Sequence, residues 1–229
     1  MAATILVAQS VGARDLPEAR RIVGTSATFF FLISVVFAAF MLYRRRDIKR
    51  LFAYSSIEHM GIIVFAFGMG GPLANFAGLL HMVMHSLTKS GIFFAVGHIA
   101  QAKGTQRFAD IQGLSVTHPR LAVAFALAVV AIAGLPPFGV FTSEFLILTT
   151  TFAREPWLAL LPAFGLLVGF GALLMRLQGT IFGEPTGPAH RVDASSVPMV
   201  LHLLLVLGAG IYLPPALVVW FQRAAEFLG

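Results

Sequence analysis

The sequence has no cysteine and few charged residues, and each absence excludes classes of protein. Without cysteine, the 229-residue chain has no disulfides, thiolate zinc sites or iron–sulfur clusters of its own. Charged residues make up 11% of the chain, whereas about 25% is usual in a soluble domain. This composition excludes an intrinsically disordered chain, a coiled coil and a nucleic-acid-binding module.

Apolar residues, by contrast, make up 58% of the chain, and the mean hydropathy is +0.86. The 16 Lys and Arg residues exceed the 10 Asp and Glu residues, which gives a net charge of +6. The basic residues stand in short groups between long apolar runs. This pattern is typical of integral membrane proteins, whose basic loops stay on the cytoplasmic side. We therefore expect an all-α, polytopic protein of the cell (inner) membrane.

Apolar stretches predict six transmembrane crossings, or seven if one broken stretch forms two short crossings. Each is close to or longer than the ~20 residues that cross a hydrocarbon core of ~30 Å. Residues 1–24 lack the apolar segment of a signal peptide and are expected to form an extramembrane or interfacial segment. Residues 214–229, with Trp220, are expected to form an amphipathic interfacial helix after a transmembrane bundle at 25–213. The predicted spans are about 25–43, 51–70, 73–100, 119–153, 156–182 and 197–213.

The segment RRRDIKR at 44–50 carries five positive charges and one negative charge. It is the strongest topological marker in the chain and predicts that this loop is cytoplasmic. The polar loop at 101–118 follows two further crossings, so we expect it on the same side.

The apolar stretch at 119–153 is interrupted by GLPPFG at 134–139. Pro136 and Pro137 remove two backbone donors and break the helix, and Pro137 can start a second helix. Each half has about 16 residues and a length of ~24 Å, which is short for a full crossing. Broken helices are tolerated in membranes where they line a polar cavity, and they often mark ion pathways. One crossing made of two half-helices is therefore favoured over two short crossings.

The sequence HMVMHSLTKS places His81, His85 and Lys89 at intervals of four residues inside a predicted span. This spacing puts the three side chains on one face of a helix. Charged groups in a span cost several kcal/mol, so each is a functional candidate, and such a row bridged by water can pass protons. A structural alternative is that they join neighbouring helices. A zinc site is disfavoured, because Lys89 would repel the cation and no carboxylate lies near in sequence.

Two acidic positions complete the set of candidates. Glu144 comes just after the Pro-Pro break and is expected to meet the His and Lys face of the third span, or to have a structural role. Glu58 and His59 lie eight to nine residues after Arg50, about 12 Å along a helix. We expect them near the end of their span, either at a proton entrance or paired with the basic loop.

Three segments that hold these residues carry a family resemblance. They are DIKRLFAYSSIEHMG (47–61), HMVMHSLTKSGIFF (81–94) and GLPPFGVFTSEFLIL (134–148). In this order and spacing they resemble the antiporter-like membrane subunits of respiratory complex I, multisubunit Na⁺/H⁺ antiporters and membrane-bound hydrogenases. The Glu58-His59 variant is most similar to component F of hydrogenase-4 and the related membrane component of formate hydrogenlyase. The resemblance covers roughly residues 25–185.

The resemblance implies a fourteen-helix bundle of two inverted five-helix repeats, each with one broken helix. By motif match, Lys89 corresponds to the central lysine of the family, and His81 and His85 to the histidines before it. Glu144 corresponds to the terminal Lys or Glu of the second half-channel. The implied function is proton translocation coupled to redox chemistry in a peripheral arm. No cofactor, metal or catalytic centre is then expected in this chain, which would act as a subunit of an oxidoreductase complex.

The chain departs from the family in length, because family members are about twice as long. Its sequence resembles the C-terminal half, without the Glu and Lys pair of the first half. The partners expected are other membrane subunits, including a chain that supplies the N-terminal half, together with protons and lipid but no nucleic acid. The leading hypothesis is a proton-translocating half-channel subunit of a hydrogenase- or NADH dehydrogenase-like complex. The alternatives are a non-conducting structural subunit and a component of a cation/proton antiporter.

Overall fold

The computed structural model describes residues 8–15, 17, 18, 22, 33–191 and 194–228. Within these residues the chain is helical and contains no strand, which confirms the predicted all-α class. A π-helix at Ile33–Phe37 leads into the α-helices. These are α1 (Ala38–Arg44), α2 (Ile48–Met69), α3 (Pro72–Lys103), α4 (Leu114–Thr117), α5 (Pro119–Ile132), α6 (Gly139–Arg154), α7 (Pro156–Phe182), α8 (Val197–Ile211) and α9 (Pro215–Phe227).

Local sequence signals set many of the helix bounds. The Asp47 carboxylate caps α2 by accepting a hydrogen bond from the Arg50 backbone N–H at 2.9 Å. Proline occupies the first turn of α3, α5, α7, α8 and α9, where its missing N–H is tolerated. Gly104, with φ of 65°, ends α3 in the left-handed conformation. These signals explain why the observed bounds lie close to the predicted ones.

Three of the described helices, α2, α3 and α7, are long and apolar enough to cross a membrane. They confirm the helices predicted at 51–70, 73–100 and 156–182. Helices α8 and α9 pass the same test only together, and they are bent by 82° relative to one another. Much of the span predicted at 25–43 lies outside the described residues. The total of six or seven crossings therefore stays a prediction.

Helix α3 occupies the centre of the bundle, and α2, α5, α6, α8 and α9 all pack against it. The largest apolar core lies between α2, α3 and α5. There Phe52 meets Phe125 edge to face, with 6.0 Å between the ring centroids. A central α3 explains why its polar row faces other helices rather than lipid.

Connecting segments meet at one end of the bundle, which we call the basic end. Asp47 and Arg107 form an isolated β-bridge, and the Ile48 N–H donates to the Gln106 carbonyl at 2.9 Å. The Lys103 ammonium donates to the Thr186 carbonyl at 2.8 Å. These contacts confirm that the loops at 44–50 and 101–118 lie on the same side, and they add the segment at 183–191 to it.

The opposite end is marked by Arg154, the last residue of α6. Its guanidinium donates to the carbonyls of Met69, at 2.8 Å, and of Gly70, in the turn between α2 and α3. Helices α5 and α6, separated by residues 133–138, therefore run together from the basic end to the opposite end. This course agrees with the prediction of one helix broken at Pro136-Pro137.

Helix α9 packs across the start of α3. The Asn75 side-chain amide donates to the Ala225 carbonyl at 3.4 Å, and the Phe76 and Phe221 rings are 6.0 Å apart. Phe221 is buried whereas Trp220 is 61% exposed, so α9 is amphipathic. Its place at the membrane interface stays a prediction, as do the bounds at 25–213 and 214–229. Most of residues 1–24 lies outside the described part of the chain.

Candidate functional site

The polar row of α3 is buried and turns towards α2. His81 lies 3.1 Å from His59 on α2, measured between Nε2 and Nδ1. The His85 ring stacks on His59 with 5.1 Å between centroids. The Lys89 ammonium donates to the Phe52 carbonyl of α2 at 3.0 Å. The common face predicted from the spacing is therefore the interface between α2 and α3.

His59, His81 and Ser143 form a hydrogen-bonded chain across three helices. The Ser143 hydroxyl donates to the Val140 carbonyl at 2.8 Å, so its oxygen accepts the Nδ1–H of His81, also at 2.8 Å. The Nε2 atom of a neutral His81 is then an acceptor, and it faces Nδ1 of His59 at 3.1 Å. The Ser143 contact thereby directs the Nε2 lone pair of His81 at His59.

Glu144 reaches the same cluster from α6. Its Oε1 atom lies 3.6 Å from His59 Nδ1, and ligating atoms of Glu144, His59 and His81 all lie within 4.8 Å of one another. The side chain is buried, and Oε1 has no hydrogen-bond partner among the described residues. Glu144 thus meets the α3 face as expected, with His59 of α2 as an additional neighbour.

The Pro-Pro break supplies a polar group to this cluster. In a continuous helix the Ile132 carbonyl would accept the N–H of residue 136, but Pro136 has none. The His59 ring hydrogen-bonds the backbone of Ile132 instead. Nearby, Gly134 has φ of 67°, and a Cβ atom there would collide with the Glu144 carboxylate. The break therefore provides both a backbone partner for His59 and room for Glu144.

Glu58 lies on α2 beside the cluster and is buried against α7. A Cβ atom on Gly169 of α7 would lie only 2.5 Å from its Oε1 atom. Lys89 acts on Glu58 as a neighbouring opposite charge. Glu58 and His59 also border a cavity of about 10 Å³, roughly the space that one water molecule needs. Glu58 is thus placed between a cation and a small polar cavity.

The structure corrects the expected position of Glu58 and His59. Ten residues of α2 precede Glu58 and ten follow His59, because the helix runs from Ile48 to Met69. The expectation that they lie near the end of the span is therefore wrong. Among the described residues, no ion pair joins either of them to the basic loop.

Several contributors to the site were not predicted. Ser143 orients His81, the carbonyls of Phe52 and Ile132 accept hydrogen bonds, and Gly134 and Gly169 leave space for carboxylates. Only Ile132 has a clear sequence signal, because a proline stands four residues after it. The others depend on which helices pack together, which local sequence does not specify.

Comparisons with known proteins agree with the family resemblance. Residues 14–170 match the model of the NADH:quinone oxidoreductase/Mrp antiporter transmembrane family. The chain is 58% identical over 205 residues to a hydrogenase-4 component F homolog from Methylacidiphilum infernorum (isolate V4), covering 90% of this chain and 43% of that protein. It is 31% identical over 189 residues to F(420)H(2) dehydrogenase subunit M from Methanosarcina mazei, covering 81% of this chain and 38% of that protein.

Among solved structures, a chain of respiratory complex I from Thermus thermophilus with bound NADH has the same fold. The TM-score is 0.77 at 25% identity, and the match covers 94% of this chain and 48% of that chain. The chain spans about half the length of the curated relatives and of the solved structure that it matches. Because the family model covers more than half of its residues, the chain belongs to the NADH:quinone oxidoreductase/Mrp antiporter transmembrane family.

Proposed function

We propose that this chain forms a proton-conducting half-channel in a redox-driven membrane complex of the hydrogenase or NADH dehydrogenase type. The observation that carries the proposal is the contact of Glu144, His59 and His81 inside the bundle, with Lys89 and Glu58 beside them. Relatives named for hydrogenase-4 and F(420)H(2) dehydrogenase, and the matching chain of complex I, support this class of complex.

The spacing of the groups suits short proton transfers. His59 Nδ1 lies 3.6 Å from the Glu144 carboxylate and 3.1 Å from His81. Small shifts of side chains would therefore bring a carboxyl group and two imidazoles into a continuous hydrogen-bonded series. One water molecule in the cavity of about 10 Å³ would connect Glu58 to His59. Lys89 stabilises a negative charge on Glu58 in a region where an isolated charge is costly.

Unpartnered polar atoms favour conduction over a purely structural role. Glu58 Oε1, Glu144 Oε1 and both ring nitrogens of His85 are buried without a protein hydrogen-bond partner among the described residues. Residues that only join helices have their hydrogen bonds satisfied by fixed protein partners. Groups that exchange protons with water need atoms that no protein group occupies, and these three residues have such atoms.

The proposal extends to the surroundings of the chain. Its basic end would face the cytoplasm, since Lys and Arg loops stay on that side. Residues 119–153 would form one broken crossing, which makes six crossings in 25–213, and residues 214–229 would lie at the interface. Partner membrane subunits would surround the bundle, and a chain supplying the first half of the usual subunit would complete the path.

The test is proton pumping by the assembled complex, purified and reconstituted in liposomes. We expect Lys89→Met and Glu144→Gln to abolish pumping, measured with a pH-sensitive dye, while the subunit composition of the complex is unchanged. Each variant removes one ionisable group but keeps the approximate size of the side chain. The matched controls Lys49→Met and Glu184→Gln alter exposed residues at the basic end and should pump normally.

Two results would contradict this function. Pumping at the wild-type rate in both Lys89→Met and Glu144→Gln would show that neither group carries protons. Failure of both variants to assemble, with both controls assembling normally, would instead support the structural alternative.

A further inference from the structure

His59, His81 and Glu144 direct three metal-ligating atoms at one another between α2, α3 and α6. His59 Nδ1 is 3.1 Å from His81 Nε2 and 3.6 Å from Glu144 Oε1. Ligand atoms on a tetrahedral zinc ion, with bonds of about 2.0–2.1 Å, lie about 3.3 Å apart. Both distances are therefore close to those between ligands of a single ion.

Two features of the sequence disfavour a metal ion, and the fold removes the first and offsets the second. A carboxylate is missing near His81 in sequence, but Glu144 reaches the cluster from α6. Lys89 acts on His59 as a neighbouring positive charge. The Glu58 carboxylate beside Lys89 opposes that charge, and the ammonium itself is directed at the Phe52 carbonyl of α2.

The two histidines are also held in orientations that suit metal binding. The Nδ1–H of His81 is bonded to Ser143, which leaves Nε2 directed at the cluster. The His59 ring hydrogen-bonds the backbone of Ile132, while its Nδ1 atom faces His81 and Glu144. Metal-ligating histidines almost always have their second nitrogen bonded in this way, which fixes the ring and its tautomer.

We propose that His59, His81 and Glu144 bind a divalent transition-metal ion, represented by Zn²⁺, and that the bound ion blocks the proton path. Two imidazoles and one carboxylate are the donor set of three-ligand zinc sites, in which the fourth position is open. Mg²⁺ and Ca²⁺ prefer sites made only of oxygen ligands. The binding rests on ligand geometry alone, whereas the block rests on the proposed function, because the ion would occupy the atoms that pass the proton.

The test of binding titrates Zn²⁺ alone into the full 229-residue chain in lipid nanodiscs, followed by calorimetry. We expect His59→Gln and Glu144→Gln each to raise the dissociation constant at least about tenfold, since even the loss of an outer partner of a ligand costs 10–100-fold. His202→Gln and Glu184→Gln are matched controls outside the cluster and should bind like wild type. Equal affinity of the wild-type chain and both cluster variants would overturn the proposal.

A second measurement does not depend on the variants folding. X-ray absorption at the zinc edge of the loaded wild-type chain should show two imidazoles and oxygen at about 2.0–2.1 Å. A zinc environment without two imidazoles overturns the site.

Measurements of proton pumping distinguish a failure of the metal site from a failure of the proposed function. With the function correct, Zn²⁺ should inhibit the wild-type complex. Normal pumping by Lys89→Met and Glu144→Gln, together with confirmed zinc ligation, would overturn the proton path but leave the metal site. Loss of pumping in those variants, together with no zinc binding by the wild-type chain, would overturn the metal site but leave the proton path.

Discussion

At the scale of single residues, Gly134 decides whether the Glu144 carboxylate can reach His59. Its φ of 67° lies in the left-handed region, and its missing Cβ leaves the space that the carboxylate occupies. Gly134→Ala should therefore lower stability by the ~1–2 kcal/mol of the left-handed backbone plus the effect of the collision. Pumping should fall as in Glu144→Gln. Thermal unfolding of the purified chain and pumping by the complex measure the two effects.

Gly104 is the matched control, because it has nearly the same backbone angle, with φ of 65°, and nothing lies within 4 Å of the position that a Cβ atom would take. Gly104→Ala should lower stability only by the cost of the left-handed backbone, and it should leave pumping normal. Equal loss of stability in the two variants, with normal pumping in both, would refute the role of Gly134.

Gly169 gives a second test at this scale, at the contact between α7 and Glu58. Alanine stabilises an exposed helix interior by about 0.5–1 kcal/mol relative to glycine. At Gly169, however, the added Cβ would lie 2.5 Å from the buried Glu58 Oε1. We expect Gly169→Ala to lower the melting temperature of the chain and to reduce pumping by displacing Glu58.

Gly179 on the same helix has nothing within 4 Å of a Cβ position. Gly179→Ala should therefore leave the melting temperature unchanged or raise it slightly. If Gly169→Ala stabilised the chain as much as Gly179→Ala, the close contact with Glu58 would be disproved.

At the scale of helices, local signals predicted much of the fold. Asp47, the first-turn prolines and Gly104 act within a few residues, so helix bounds follow from sequence. The Pro136-Pro137 break was predicted for the same reason. The position of Glu58 at mid-helix was not predicted, because the expectation used only its distance of about 12 Å from Arg50. The observed end of α2 at Met69 lies within one residue of the predicted end and leaves ten residues after His59.

The candidate site could be predicted only in part. The spacing of His81, His85 and Lys89 shows that they share a face, which is a property of one helix. That His59 lies between His81 and Glu144 depends on the packing of α2 and α6 on α3. Such contacts join residues far apart in sequence, and only the folded chain brings them together.

At the scale of the whole molecule, the open question of six or seven crossings depends on residues 119–153. Helix α5 starts at the basic end, and α6 ends at Arg154, which donates to the Met69 carbonyl at the opposite end. A single broken crossing places Arg120 and Glu155 on opposite sides of the membrane. Two short crossings would return both residues to the same side.

The lack of cysteine makes this difference measurable, because a single introduced cysteine is then the only thiol in the chain. We expect Arg120→Cys and Glu184→Cys to react with a membrane-impermeant maleimide from the cytoplasmic face, and Glu155→Cys from the other face. Right-side-out and inverted vesicles distinguish the two faces, and the cysteine-free chain is the blank. Labelling of Arg120→Cys and Glu155→Cys from one face would establish two crossings, and the Pro-Pro break would then lie at a membrane surface rather than beside a buried proton path.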